Sequence, residues 1–218
     1  MPQKVSVIIP YNIDRGWLRD AVNSVKAQSY PHIELIMSQS KNRVGHNLNR
    51  GIEKASGDFI KYLCDDDLLT SDSIADSLQA FAENPDAGFI HGRAINFWPD
   101  GKVAEYIPKY TLPTAHQMLI NNELHGGTLM YRREVFSKFG GFSENLWTGE
   151  EYEFNLRIMA GGVQLAYCDA VLYRYRRHHL QKSLGNMSRE YQARRKEAIQ
   201  AIRDLHRNKI MALTTSTI

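Results

Sequence analysis

Three patterns predict an α/β domain. Short, almost uninterrupted apolar runs recur through the first ninety residues, stretches with helical apolar spacing separate them, and Gly or Pro closes each unit. Such alternation implies a Rossmann-like, mostly parallel sheet with helices on both faces. After residue 92 the regularity gives way to a mixed half, and a C-terminal amphipathic helix begins at about Ser188.

The first strand is expected at Val5–Ile9. A helix over Gly16–Gln28 places Leu18, Ala21, Val22 and Val25 on one face, and Pro31 closes the unit. Ile33–Met37 reads as the second strand and Val44–Ala55 as the second helix, stopped by Gly57. Phe59–Leu63 is the third strand and Ser71–Glu83 the third helix, ended by Asn84-Pro85. Ala87–His91 is the fourth strand. In the mixed half, Pro99-Asp100-Gly101 marks a hairpin turn within Arg93–Ile107. Thr114–Asn121 reads as a short helix, Gly126–Tyr131 as a strand, and Arg132–Phe139 and Glu150–Ala160 as helices. Val163–Tyr175 is the last strand. Residues 1–187 are expected to form one domain of two halves, 1–92 and 93–187, with 188–218 a basic helix and tail.

The chain has 218 residues, 43% hydrophobic and 23% charged, which suffices for a core and excludes a disordered tail. Two Cys without a CxxC pair argue against a disulfide framework or a zinc site. No apolar stretch has the length of a signal peptide or a spanning helix, so a cytoplasmic protein is expected, with membrane association open. A net charge of +3 is too small to point to nucleic acid. Basicity concentrates at the C-terminus, where Arg189, Arg194, Arg195, Lys196, Arg203, Arg207 and Lys209 face only Glu190, Glu197 and Asp204. That helix, with apolar Tyr191, Ala198, Ile202, Leu205 and Met211, is read in three ways: packing on the domain, lying on an anionic membrane, or leading into a further domain. Thr214–Thr217 reads as the start of a linker.

Asp65-Asp66-Asp67 follows the apolar strand directly, at the end of a parallel strand where such folds bind ligands. Three adjacent carboxylates repel one another unless a cation compensates, and hard oxygen donors suit Mg²⁺ or Mn²⁺. A solvated turn capping the next helix is the alternative reading.

Further motifs follow in order. Val5-Ser6-Val7-Ile8-Ile9-Pro10-Tyr11-Asn12, Ser24-Val25-Lys26-Ala27-Gln28-Ser29-Tyr30, Asn49-Arg50-Gly51-Ile52 with Ala55-Ser56-Gly57-Asp58, and Leu63-Cys64-Asp65-Asp66-Asp67 form one set. Gly140-Gly141-Phe142 ahead of Glu150-Glu151 and Arg157 completes it. Together, over about residues 4–183, they resemble the family-2 inverting glycosyltransferases, which have the A-type nucleotide-diphospho-sugar transferase fold. The resemblance implies a metal-dependent transfer from a nucleotide-diphosphate sugar to a glycan or lipid-linked hydroxyl.

By the same resemblance, Asp66 is the metal ligand, with Asp65 on the metal or the donor ribose and Asp67 and His178 as further candidates. Pro10, Tyr11 and Asn12 line the base pocket, with Ser38, Arg43 and Asn49 beside it. Glu151 falls on the catalytic base, a role the chemistry requires because the attacking hydroxyl must lose its proton. His125, Gly127, Thr128, Trp147 and Glu150 lie on the acceptor side; Trp147 also reads as a core residue, and the acidic cluster Glu150, Glu151 and Glu153 as a helix start. The segment Tyr175-Arg176-Arg177-His178 with Gln181 and Ser183 resembles one that closes over the diphosphate, giving Arg176 and Lys182 that role; an exposed basic loop is its plain alternative.

The chain departs from the family pattern at four places. The opening lacks the usual spacer between Pro10 and Tyr11. Cys64 stands for a frequent Asp. Met37-Ser38-Gln39-Ser40 carries no base-contacting acid, and Asn47-Leu48-Asn49 lacks a frequent Arg, for which Arg43 or Arg50 is the substitute. UDP is the first-choice nucleotide, with thymidine or guanosine diphosphate open. No glycine-rich loop follows the first strand, against a nucleotidyltransferase or a dehydrogenase. A non-catalytic nucleotide- or carbohydrate-binding module of the same fold is the rival reading.

Overall fold

The computed structural model describes residues 2–181 and 188–215. At its centre β1 (Val5–Tyr11) lies parallel to both β2 (Ile33–Gln39) and β3 (Phe59–Tyr62). Alternation along these strands separates two cores. Val5, Val7, Ile9 and Phe59 face one side, where α1 (Leu18–Lys26) and α3 (Ser73–Glu83) bring Ala21, Val25, Ile74 and Phe81. Ile8, Ile36 and Ile60 face the other, against Leu48 of α2 (Val44–Lys54). Helices therefore cover both faces, as the apolar periodicity predicts.

The strand order is β2-β1-β3-β7-β5-β8-β4, with β6 paired to β5 off this path. Here β4 is Leu68–Leu69, β5 Ala87–Phe97, β6 Val103–Tyr106, β7 Met130–Arg132 and β8 Gln164–Arg176. The fourth strand of the alternating half is thus not the third strand's neighbour. The short β7 enters antiparallel between β3 and β5, opposing Phe59 with Arg132 and Phe89 with Tyr131. β5 runs parallel to β8 and carries on past His91 into the expected hairpin with β6, turned at Gly101 (φ +85°). β4, which no sequence pattern marks, pairs antiparallel with β8 and ties the acidic turn to it.

Expected boundaries also shift: α3 begins at Ser73 and not Ser71, and β1 and β2 each run two residues further than expected. Gly126–Thr128 is a 3-10 turn and not the start of a strand, because the Thr128 N–H and hydroxyl both donate to the His125 carbonyl. The first helix begins at Leu18, after Gly16 takes a left-handed turn (φ +93°).

The remaining helices, α4 (Ala115–Ile120), α5 (Arg133–Phe139), α6 (Glu150–Ala160) and α7 (Arg189–Thr215), add to the second core. α4 starts on a reciprocal cap between Thr114 and Gln117. α7 packs on the domain through Ile202 and Ile210, with His206 between them bonding Glu153 of α6 at 3.0 Å. Leu205 and Met211, expected on the packed face, point outward at 71% and 47% exposure. Thr214 and Thr215 continue the helix, while the rest of the expected linker lies outside the described residues.

Candidate active site

The acidic turn projects from the carboxyl end of β3, and its three aspartates differ. Asp67 is buried; its carboxylate accepts the Arg176 N–H (2.7 Å) and the Tyr173 hydroxyl (2.9 Å). Burial, then the Asp66 charge, pushes its pKa well above the ordinary range. Asp67 therefore faces inward and holds the turn against β8. Asp66 faces His178, with Oδ2 and Nε2 2.9 Å apart. The Leu180 N–H donates to His178 Nδ1, so in the neutral ring Nε2 carries the proton and donates to Asp66. Trp17 closes one side of that imidazole, with ring centroids 4.2 Å apart. Asp65 is half-buried, and burial followed by the Asp66 charge raises its pKa to about 6, opposed by Arg15.

These donors suit a divalent cation. Asp66 offers such a cation a carboxylate that the His178 Nε2–H orients; His178 itself, with Nε2 protonated and its Nδ1 lone pair taken by the Leu180 N–H, is not a ligand in that state. The Cys64 thiol and the Asp66 and Asp67 carboxylates also lie within 4.8 Å of one another. Arg176 is engaged structurally: Nε donates to the Asp66 carbonyl (2.8 Å), an Nη to Asp20 (3.0 Å), and its plane lies over Trp17 and Phe97. Lys182 and Ser183 lie outside the described residues.

Beside this turn, β1 and β2 end together, pairing Pro10 with Ser38 and Tyr11 with Gln39. The Asn47 amide donates to the Tyr11 (3.1 Å) and Ser40 (3.2 Å) carbonyls, and Gln39 donates to the Asn12 carbonyl at 3.4 Å. Pro10, Tyr11, Asn12 and Ser38 are thus brought together. Asn49 turns instead to Phe142 and Glu144, and Arg43 donates to the Asn145 carbonyl; both strap α2 to the segment after α5. Arg50 donates to the Gln39 carbonyl at 3.0 Å.

Across the sheet, Glu151 sits in the first turn of α6. Asn122 donates to it at 3.4 Å, and a Cβ on Gly126 would meet Glu151 Oε1 at 3.3 Å and the Tyr62 hydroxyl at 2.9 Å. Burial, then the Glu150 charge, raises the Glu151 pKa to about 7, while backbone N–H groups and Arg195 oppose the rise. That value suits a group that takes a proton near neutrality. Gly127 has no room for a side chain, since a Cβ would lie 2.3 Å from the Tyr173 ring. Its carbonyl accepts from the buried Lys61 Nζ at 2.8 Å. The His125 ring lies among Tyr106, Tyr173 and Tyr175, with centroids 5.2–5.7 Å away. Burial first, then Lys61, lowers its pKa to about 4. Trp147 packs edge-on to Tyr191 of α7, with Arg194 over its ring.

Comparison with known proteins matches residues 35–140 to the model of Glycosyl transferase family 2. Nearly half of the chain is thus similar to that family. The N-terminal domain of galactosyltransferase model also matches, over residues 108–181. An uncharacterized glycosyltransferase of Haemophilus influenzae is 26% identical over 138 residues, 62% of this chain and 46% of that protein. One of Rickettsia typhi is 26% identical over 226 residues, 87% of this chain and 69% of its own. The chain thus spans less than half the length of the Haemophilus relative. The crystal structure of S. aureus TarS 1–349 in complex with UDP-GlcNAc aligns with a TM-score of 0.70 at 17% identity, covering 91% of this chain and 65% of TarS 1–349; that likeness establishes the fold.

Sequence reasoning passed over Lys61, Tyr173, Asn47, Trp17 and Arg15. Only Lys61 leaves a signal, a cation inside an otherwise apolar strand. Tyr173 joins the two sides of the site: its hydroxyl serves Asp67 and the Cys64 N–H, and its ring backs Gly127.

Proposed function

We propose that this chain transfers a sugar from a nucleotide-diphosphate donor, a UDP-sugar first, to a hydroxyl of a glycan or lipid-linked acceptor with inversion at the anomeric carbon. The acidic turn carries the reading, because Asp66, oriented by His178, stands within 4.8 Å of Cys64 and Asp67 beside the paired ends of β1 and β2. The match of residues 35–140 to the family model supports it, as does the fold likeness to TarS, whose structure was determined with UDP-GlcNAc.

Pro10, Tyr11, Asn12 and Ser38 hold the nucleotide base. Asp66, with Asp65 beside it, would hold a divalent cation, Mn²⁺ or Mg²⁺, while His178 orients Asp66 and Asp67 positions the turn. When bound, such a cation supplies Lewis-acid neutralisation of the leaving diphosphate. Glu151 takes the proton of the acceptor hydroxyl as that oxygen attacks the anomeric carbon opposite the departing diphosphate. One displacement inverts the centre without a protein nucleophile. Gly126 and Gly127 let the backbone pass close to Glu151, Tyr62 and Tyr173, and Trp147 and Glu150 border the acceptor side.

Thermal unfolding with UDP, dTDP and GDP, each with and without Mn²⁺, tests the first step, because a ligand of the folded state raises the midpoint. A Mn²⁺-dependent rise for UDP that disappears in Asp66→Ala is the expected outcome. No rise with any nucleotide–metal pair defeats the mechanism. Binding without turnover, unchanged in Glu151→Gln, reveals a non-catalytic module instead.

A further inference from the structure

The first turn of α6 carries Glu150 and Glu151, and α7 lies directly on it. Gly149, the left-handed cap of α6 (φ +76°), has no space for a side chain: a Cβ would meet Ile199 Cδ1 at 2.8 Å and Ile202 Cδ1 at 3.0 Å. One turn earlier on α7, Arg195 sends Nε to Thr148 Oγ1 at 3.4 Å. Further along, Arg203 Nε reaches the Tyr152 hydroxyl at 3.3 Å and His206 Nε2 reaches Glu153 at 3.0 Å. α7 therefore follows residues 148–153 almost side chain by side chain, although it lies outside both matched family segments.

We propose that Arg195 is a positioning residue for Glu151, so that α7 completes the acceptor side of the site. This rests on reading Glu151 as the base. The groups facing Glu151 are Glu150 from its own helix, Tyr62 from β3, Tyr131 from β7, the neutral Asn122, and Arg195 from α7. Arg195 is the cation among them. Two adjacent carboxylates in a half-buried turn hold on to a proton unless a positive charge offsets the second ionisation. Arg195 supplies that charge and keeps Glu151 able to accept the hydroxyl proton near neutrality. A purely structural tie to Thr148 would leave the titration of Glu151 unchanged.

Carbon-13 NMR of the glutamate side-chain carboxyls reads this directly and needs no acceptor. Arg195→Met and Arg195→Gln should each raise the Glu151 midpoint by about 0.5–1 pH unit. Arg195→Lys should restore most of it, and Arg207→Met should leave it in place, since Arg207 pairs with Asp204. Gln can still bond Thr148, which guards against loss of the fold; thermal unfolding verifies each variant. An unmoved midpoint in a folded Arg195→Gln protein overturns the proposal while leaving Glu151 as base. Undiminished sugar transfer by Glu151→Gln overturns both.

Discussion

Glu151 illustrates how position changes what a carboxylate can do. In water it would be ionised and a weak base; in the first turn of α6, burial and Glu150 lift its pKa to about 7. The acidic limb of a transfer-rate profile should therefore fall near pH 7, with rate rising to a plateau above it. Glu151→Gln should lower kcat by about 10²–10⁴-fold and leave the Mn²⁺–UDP stabilisation unchanged. The linkage to folding has a definite sign. The folded group holds a proton between about pH 4.5 and 7 that the unfolded chain releases, so its contribution to stability falls as pH rises through that window. Denaturant midpoints of Glu151→Gln should lose this part of the slope. The candidacy of Glu151 was visible in the sequence because an acidic pair opens a helix. Its perturbation was not, because desolvation belongs to neighbours such as Tyr62 and Gly126 that lie far along the chain.

At the scale of elements, β3 is the one that binds both sides of the site together. Its apolar residues are recognisable from the pattern, but Lys61 among them is fully buried and donates to Gly127, with burial lowering its pKa to about 7. Between about pH 7 and 10.5 the unfolded chain carries a proton there that the folded chain lacks, so stability should rise with pH across that range. Lys61→Met should flatten this rise, and urea unfolding at pH 7 and 9 compares the two proteins. Met also leaves the Gly127 carbonyl without its partner, so the turn beside Glu151 should loosen and acceptor KM increase. The adjacent β4 escaped sequence reasoning because two leucines have no period; pairing with Arg174 and Tyr173 of β8 makes them a strand.

At the scale of the molecule, two cores are separated by one sheet, and α7 closes the second of them. Ile202 is fully buried there, so Ile202→Ala should cost about 2–5 kcal/mol, seen as a lower urea midpoint. Because Ile202 also presses on Gly149, the variant should weaken transfer more than it weakens nucleotide binding. The sequence by itself determined the fold class, most element positions and the identity of the acidic turn, since these depend on periodicity and short motifs that one stretch of chain contains. Only the tertiary structure decided that β7 separates β3 from β5, that Asp67 turns inward while Asp66 meets His178, and that α7 caps the start of α6. Those outcomes are set by contacts between residues up to 112 positions apart, as for Asp66 and His178. No local pattern encodes which distant partner satisfies a buried polar group.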